Sequence, residues 1–371
     1  MTPDLLAARA ALAPLYRAPE ADVLTGLLPA ATLKPDARAR VVARAGHLLE
    51  ALRAAQGQGW VNRFLQEYRL GSQEGAALLA LAEAFLRVPD ADTADALIRD
   101  KIGAADWGAH AGQSGSVLVD GATWGLVVTR ALMAEDGRAG ALRSLIARAG
   151  EPFVRTAVGA AMRMMGEVFV MGRTIREALK RAGAADLKGF TASFDMLGEA
   201  ARTFEDAARY RDAYAGAIAA VGRDATRGHS VSVKLSALHP RYEVAQAGSC
   251  VPALTATLLE LARAAASAGV GLTVDAEESE RLEMSLDIIG AVAGDPALKG
   301  WDGLGMAVQA YGRRARAVVD WAQSLGAATG RRIAVRLVKG AYWDSEIKRT
   351  QELGLADFPL FTRKAATDVS Y

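Results

Sequence analysis

The sequence predicts an α/β protein in which an all-helical N-terminal region precedes a parallel, barrel-type sheet. Three observations predict this class. Residues 1–185 follow helical periodicity, residues 186–371 alternate short β-prone runs with longer helical stretches, and ionisable side chains recur near the ends of those runs. Alternation of strands and helices is typical of parallel sheets. We therefore predict two domains, with the boundary between residues 185 and 186.

The composition excludes several classes of protein. Of 371 residues, 51% are apolar and 23% are charged, which suits a folded chain with a sizeable core. Lys and Arg number 44 against 42 Asp and Glu, so a net charge of +2 predicts no nucleic-acid partner. The single Cys250 excludes an internal disulfide and indicates a reducing compartment, the cytoplasm. Charges interrupt every long apolar stretch, so no membrane-spanning segment is predicted.

The first region is predicted to be helix after helix. Apolar residues between Leu78 and Leu86 recur at helical spacing, and Val88-Pro89-Asp90 ends that run. Thr93 is suited to cap the next helix. The glycine-rich segment Trp107–Gly121 is the most loop-like part of this region.

The second region contains five β-prone runs, which are mostly continuous apolar segments, as expected for parallel strands covered by helices. The predicted strands are Phe190–Leu197, Ser230–Leu238, Gly271–Asp275, Gly303–Tyr311 and Arg332–Val338. The predicted helices between them include Leu197–Val221, Pro252–Ser267, Ser279–Val292 and Arg313–Ser324.

Polar side chains lie near the C-terminal end of each predicted strand. They are Asp195, Lys234, Asp275, Gln309 and Arg336, spaced 27 to 41 residues apart. In a parallel barrel these strand ends meet at one mouth, which is where active sites lie. A single charged residue at a strand end usually begins a solvated loop, but five in phase indicate a functional site.

Several common motifs are absent from the sequence. Gly269-Val270-Gly271 and Gly303-Leu304-Gly305 lack the third glycine of a dinucleotide fingerprint. A P-loop and a Gly-x-Ser-x-Gly nucleophile motif are also lacking. The histidines, among them His239 before Pro240, are not paired at metal-ligand spacing, so no metal site is predicted. The residues by themselves thus predict an enzyme on a barrel with a charged mouth, without specifying its substrate.

Four longer segments are much more specific, and in this order they resemble the flavin-dependent proline dehydrogenases. They are Val233–Tyr242, Asp275–Glu278, Val308–Tyr311 and Val335–Asp344. The likeness is strongest to the proline dehydrogenase module of the bacterial bifunctional proline utilisation proteins. It extends through Phe194–Glu199 and the N-terminal Phe64–Tyr68 to nearly the whole chain.

The resemblance implies a (β/α)8 barrel preceded by helical arms, with about five of the strands present in this chain. It also implies oxidation of L-proline to Δ1-pyrroline-5-carboxylate, the first step of proline catabolism to glutamate. FAD takes the hydride in this family, and a quinone later takes the electrons. The corresponding expectations are a cytoplasmic location, peripheral contact at the inner membrane face and a homo-oligomeric state.

The resemblance further implies roles for four catalytic residues. Lys234 is expected to hold the proline carboxylate as a point charge. Asp275 is expected to pair with Lys234 and keep it charged. Arg336 would stabilise the negative charge that reduction places on the flavin ring, and Tyr342 would line the proline site.

The expected cofactor-binding residues follow from the same likeness, and Arg336 belongs to them as well. Gln309 offers a donor and an acceptor to the edge of the flavin ring. The turn Lys339-Gly340-Ala341 would meet phosphate or ring oxygens, since glycine allows a close backbone approach. Trp343 would border the flavin, and Glu199 is a weaker candidate near the substrate.

The sequence also departs from the family. Residues 186–371 number 186, against roughly 250 for a complete barrel. We therefore expect a fragment that lacks the last strands, the helix with the paired arginines that clamp the substrate, the aldehyde dehydrogenase module and the short DNA-binding segment of some members. Two alternatives are a Schiff-base aldolase with Lys234 or Lys339 as nucleophile and a non-catalytic fragment.

Overall fold

The computed structural model of the chain describes residues 2–55, 170–223 and 228–371. The chain forms two compact units, one of Met1–Lys34 with Ala178–Tyr371 and one of Pro35–Glu177. The helices predicted around residues 78–98 and the loop at 107–121 lie outside the described residues. The first 34 residues belong to the sheet-bearing unit, and the boundary proposed at residue 185 stays a prediction.

One parallel sheet of five strands, in the order β1-β2-β3-β4-β5, organises the first unit. The strands are β1 Ser193–Asp195, β2 Ser230–Val233, β3 Gly271–Val274, β4 Leu304–Gln309 and β5 Ala334–Val338. Every neighbouring pair is parallel. The predicted α/β class is therefore confirmed, and each of the five strands lies inside the run that predicts it.

Eleven α-helices are present among the described residues. They are α1 Pro3–Ala10, α2 Glu20–Ala31, α3 Pro35–Ala55, α4 Ile175–Ala182, α5 Phe204–Gly222, α6 Leu235–Leu238, α7 Ala247–Ala268, α8 Leu282–Ala293, α9 Ala315–Thr329, α10 Trp343–Glu352 and α11 Lys364–Ser370. Short 3₁₀ turns lie at Ala13–Leu15, Ala185–Leu187, Val244–Gln246, Ser279–Arg281 and Pro296–Leu298.

The helix predicted to start at Leu197 starts seven residues later, because a capping box fixes its first turn. Thr203 Oγ1 accepts from Asp206 N at 3.0 Å, and the Asp206 carboxylate accepts from Thr203 N at 3.1 Å. These contacts satisfy two amide groups that a helix start would otherwise leave unpaired. Before the cap, Gly198 and Ala200 adopt φ values of 129° and 54°, which a continuous helix does not allow.

The strand predicted as Ser230–Leu238 is too long. The strand ends at Val233, and the apolar residues Leu235–Leu238 form the short helix α6 instead. A short apolar run does not distinguish a strand from a buried helical turn. The shorter strand leaves Lys234 at the junction, directly beyond the edge of the sheet.

Strand alternation gives the sheet two chemically different faces. Phe194, Val231, Leu272, Val274 and Met306 point to one face and are at most 6% exposed. The neighbouring positions, which point to the opposite face, include serines, glycines and the charged residues of the strand ends. The apolar face is covered by the helices and forms the core, so the polar face is free to build a site.

The N-terminal segment packs onto this unit through α1, which lies against α9. Leu5 and Leu12 are buried. Arg9 donates to Glu283 at 2.6 Å and to Asp287 at 3.0 Å. The buried Arg313 donates to Asp357 at 2.7 Å and contacts the carbonyl of Ala18.

One described helical stretch, Val244–Ala268, is long and apolar enough by length and composition to cross a membrane. The same test is passed by core helices of folded proteins. Within this stretch, Leu254, Leu258 and Leu261 are buried, and α7 packs against both α5 and α8.

Candidate active site

The predicted strand-end residues converge at the C-terminal edge of the sheet. Asp195 ends β1, Lys234 and Asp275 directly follow β2 and β3, and Arg336 lies within β5. In the sheet register Val233 is opposite Val274, so the residues that follow them lie side by side. Period-two alternation brings these four side chains to the polar face.

Lys234 lies between two carboxylates. Its Nζ donates to Asp275 Oδ2 at 3.0 Å and to Asp195 Oδ1 and Oδ2 at 3.1 Å each. The exposed fractions of the side chains are 16% for Lys234, 11% for Asp275 and 44% for Asp195. Asp275 is therefore the inner partner of the ammonium, and Asp195 is the outer one.

Arg336 reaches the same cluster from β5. Its Nη1 donates to Asp275 Oδ1 at 2.9 Å, and its Nη2 donates to Ser193 Oγ at 2.9 Å and Ser232 Oγ at 2.6 Å. Asp275 thus bridges the two cations through its two oxygens. A guanidinium held on both sides in this way has a fixed orientation.

The surroundings keep Lys234 protonated. Burial lowers its pKa, but the charges and hydrogen bonds of Asp275 and Asp195 outweigh burial and raise the pKa above its ordinary value. Its backbone N donates to the hydroxyl of the buried Tyr214 at 3.2 Å. Burial raises the pKa of Tyr214 to about 12, so that hydroxyl stays neutral at physiological pH.

The loop after β3 is tied to the neighbouring strands. The buried Glu277 carboxylate accepts from Ser236 N at 3.0 Å, and burial raises its pKa. Gln309 Nε2 donates to the carbonyl of Glu277 at 2.9 Å, while Gln309 Oε1 accepts from Ala341 N at 2.9 Å. Gln309 therefore joins the loop after β3 to the turn after β5.

The turn after β5 requires glycine. Gly340 has φ 143°, and a Cβ there would lie 2.4 Å from the ring of Tyr311. Lys339, the first residue after β5, pairs with Asp368, which raises the pKa of the lysine. The predicted turn is thus present, and it packs on an aromatic ring.

Two aromatic residues follow the turn. Tyr342 Oη donates to Glu199 Oε2 at 3.4 Å, and burial, followed by the charges of nearby carboxylates, raises the tyrosine pKa. Trp343 begins α10, its Nε1 donates to the Phe361 carbonyl at 3.1 Å, and it is 42% exposed. Glu199 therefore contacts the candidate site through Tyr342.

Sequence reasoning missed part of this arrangement. The sequence predicts Asp195 at the mouth but not as a partner of Lys234, and it does not single out Ser193 or Ser232. Ser193 lies two residues before Asp195, and Ser232, which is opposite Asp195 in the register, lies two residues before Lys234. Strand alternation therefore places all of them on the polar face, and it is the signal that could have identified them. In the described ranges, no group of three or more His, Cys, Asp or Glu side chains is placed to hold a metal ion.

Three family models match this chain. A model described as proline dehydrogenase matches residues 178–371, and one described as the proline utilization A proline dehydrogenase N-terminal domain matches residues 7–53. A third, described as the DNA-binding domain of proline dehydrogenase, matches residues 60–169. Those residues lie outside the described part of the chain. This third description counts against the expectation that nucleic acid is no partner.

The chain is also similar to whole proteins. It is 49% identical over 370 residues to the bifunctional protein PutA of Rhizobium meliloti and 46% identical over 375 residues to that of Escherichia coli. These matches cover 98% of this chain but only 30% and 28% of the relatives. A crystal structure of a Bradyrhizobium japonicum proline utilization A variant is similar at TM-score 0.67 and 47% identity, over 96% of this chain and 36% of that one.

Proposed function

The chain belongs to the proline dehydrogenase family, and we therefore propose that its charged sheet edge is the site at which L-proline is oxidised to Δ1-pyrroline-5-carboxylate. FAD is the proposed hydride acceptor. One observation carries the proposal: Lys234, Asp275 and Arg336 form a continuous ion-pair chain at the strand ends, inside the residues that match the family model.

On the substrate side, Lys234 supplies the positive charge that the proline carboxylate needs. Asp275 keeps the ammonium protonated and holds it at 3.0 Å, so the charge is fixed before the substrate arrives. Tyr342 lies at the same mouth, hydrogen-bonded to Glu199. These residues bind and orient a small zwitterion.

The residues present also suit a flavin dinucleotide. Arg336 and Lys339 place two cations on β5 and its following turn, with side chains 37% and 49% exposed. Trp343 follows Lys339 by four residues, and its half-exposed indole offers an apolar surface. We propose that these residues, with Gln309, Gly340 and Ala341, hold FAD. When bound, FAD supplies an acceptor for the hydride, and the fixed Arg336 charge would stabilise the added negative charge.

Further parts of the proposal rest on the family alone. They are a quinone as the final electron acceptor, a cytoplasmic location with peripheral contact at the inner membrane face, and a homo-oligomeric state. A near-neutral net charge of +2 supports the absence of a nucleic-acid partner, whereas the model matched by residues 60–169 supports one. A DNA mobility-shift experiment at two salt concentrations would decide between them.

A Schiff-base aldolase with Lys234 as its nucleophile is disfavoured by the environment of that residue. Imine formation needs a neutral amine, usually desolvated or beside another cation. Here two carboxylates contact the ammonium and raise its pKa. Borohydride trapping with a carbonyl substrate should therefore leave Lys234 unmodified.

The proposed function is tested by product analysis. The chain is supplied with FAD and a soluble quinone, and L-proline consumption and Δ1-pyrroline-5-carboxylate formation are followed by mass spectrometry. We expect product from L-proline and none from D-proline, with Lys234→Met abolishing it. Equal product from the wild type and Lys234→Met would refute the assignment of the site.

A further inference from the structure

The charge of the Lys234 ammonium is already shared between two carboxylates. An ammonium carries three N–H donors. In the structure it makes three contacts with carboxylate oxygens, one with Asp275 at 3.0 Å and two with Asp195 at 3.1 Å. A substrate carboxylate that binds Lys234 would bring a third negative charge to an ammonium that two carboxylates already contact, so it must compete with them.

The two carboxylates differ in how firmly they are held. Asp275 is 11% exposed and is also held by Arg336 at 2.9 Å. The Asp195 side chain is 44% exposed, and in the described part of the chain both of its carboxylate hydrogen bonds go to Lys234. Releasing Asp275 would leave two cations without their shared anion, whereas releasing Asp195 returns a half-exposed carboxylate to water. Asp195 is therefore the easier partner to displace.

We propose that Asp195 is a displaceable counter-ion of Lys234. An incoming carboxylate takes the place of Asp195 on the ammonium, while Asp275 stays in place and keeps the ammonium aimed. Asp195 thereby competes with the substrate and sets its affinity without contacting it. This inference rests on the proposed function, because it takes the substrate to be a small carboxylate bound at Lys234.

The proposal makes the two aspartates functionally opposite, although both contact the same Nζ atom. Replacing Asp275 removes a support and weakens carboxylate binding. Replacing Asp195 removes a competitor and strengthens it. A purely structural role for Asp195 predicts the reverse, since Lys234 would lose part of its positioning.

The test is calorimetric titration of the full chain with cyclopentanecarboxylate, a five-membered-ring carboxylate that lacks the amine to be oxidised. Asp195→Asn should bind it about two- to fivefold more tightly than the wild type, the range expected for a half-exposed ion pair. Asp195→Glu, which keeps the charge, should bind like the wild type. Asp212→Asn, which removes the same charge from an exposed pair with Arg211 on α5, should also change nothing.

Three results would overturn the proposal. They are weaker binding by Asp195→Asn, unchanged binding by Asp195→Asn, and no binding by any of the proteins. Asp195→Ser provides an independent measurement if the asparagine variant does not fold.

Failure of the proposed function is a separate outcome, in which Asp195→Asn binds the carboxylate more tightly while L-proline yields no product in any variant. In an active enzyme, Asp195→Asn should lower KM by the same factor and leave kcat unchanged.

Discussion

Replacing Asp275 with asparagine should destabilise the sheet edge more than any exposed ion pair can. Asp275 accepts from Lys234 at 3.0 Å and from Arg336 at 2.9 Å, and it is 11% exposed. An amide offers one oxygen and one NH₂ group, so one of the two cations would face a donor. A hydrogen bond to a charged group contributes about 1.5–3 kcal/mol. Since Arg336 is 37% exposed and keeps Ser193 and Ser232, we expect a loss of about 2–3 kcal/mol.

The measurement is urea unfolding, with the midpoint compared at constant slope. Asp320→Asn is the matched control, because Asp320 pairs with Arg316 at 3.2 Å and the two side chains are 52% and 63% exposed. That substitution should cost less than about 0.5 kcal/mol. If both variants lose the same free energy of unfolding, the ion-pair chain does not hold the strand ends together.

Two further substitutions test the surroundings of the site. Gly340→Ala should cost about 1–3 kcal/mol and weaken FAD binding, because φ is 143° and the new Cβ would meet Tyr311 at 2.4 Å. The control is Gly330→Ala, at φ 64° with open space around it, which should cost about 1 kcal/mol and leave FAD binding unchanged. If the two substitutions weaken FAD binding equally, the turn at Gly340 does not hold FAD. The pKa of Tyr214 is raised to about 12 in the folded state, above about 10 in the unfolded state. Its contribution to stability is therefore complete below about pH 10 and is lost as pH rises towards 12. Tyr214→Phe should remove one tyrosine from the late step of an ultraviolet pH titration, and an unchanged step would contradict the assignment.

Much of the fold is predictable because local patterns decide it. The β3 and β5 runs are apolar and bounded by turns, so both strands lie where their sequence predicts them. The predicted start of α5 is wrong because a capping box, rather than apolar periodicity, determines where that helix begins. The pattern at Leu235–Leu238 predicts a strand, but a short, mostly apolar run fits a buried helical turn equally well.

The site was predictable in part. The recurrence of polar residues at the predicted strand ends is enough to place Lys234, Asp275 and Arg336 at the C-terminal edge of the sheet, since parallel strands end together. The contact of Arg9 with Glu283 joins residues 274 apart in the chain, and no local pattern encodes such a contact. Which aspartate is the inner partner of Lys234 depends on the exposed fractions of the two side chains, 11% for Asp275 and 44% for Asp195. Only the folded chain reveals this difference.

We propose that this sheet edge oxidises L-proline with FAD as hydride acceptor. The most direct test of this proposal is the visible absorption spectrum of the chain with FAD, recorded without oxygen before and after L-proline is added. We expect bound flavin whose absorption bleaches with L-proline in the wild type but not in Lys234→Met. Bound flavin that bleaches equally in both proteins, or that does not respond to L-proline in the wild type, would contradict the proposal.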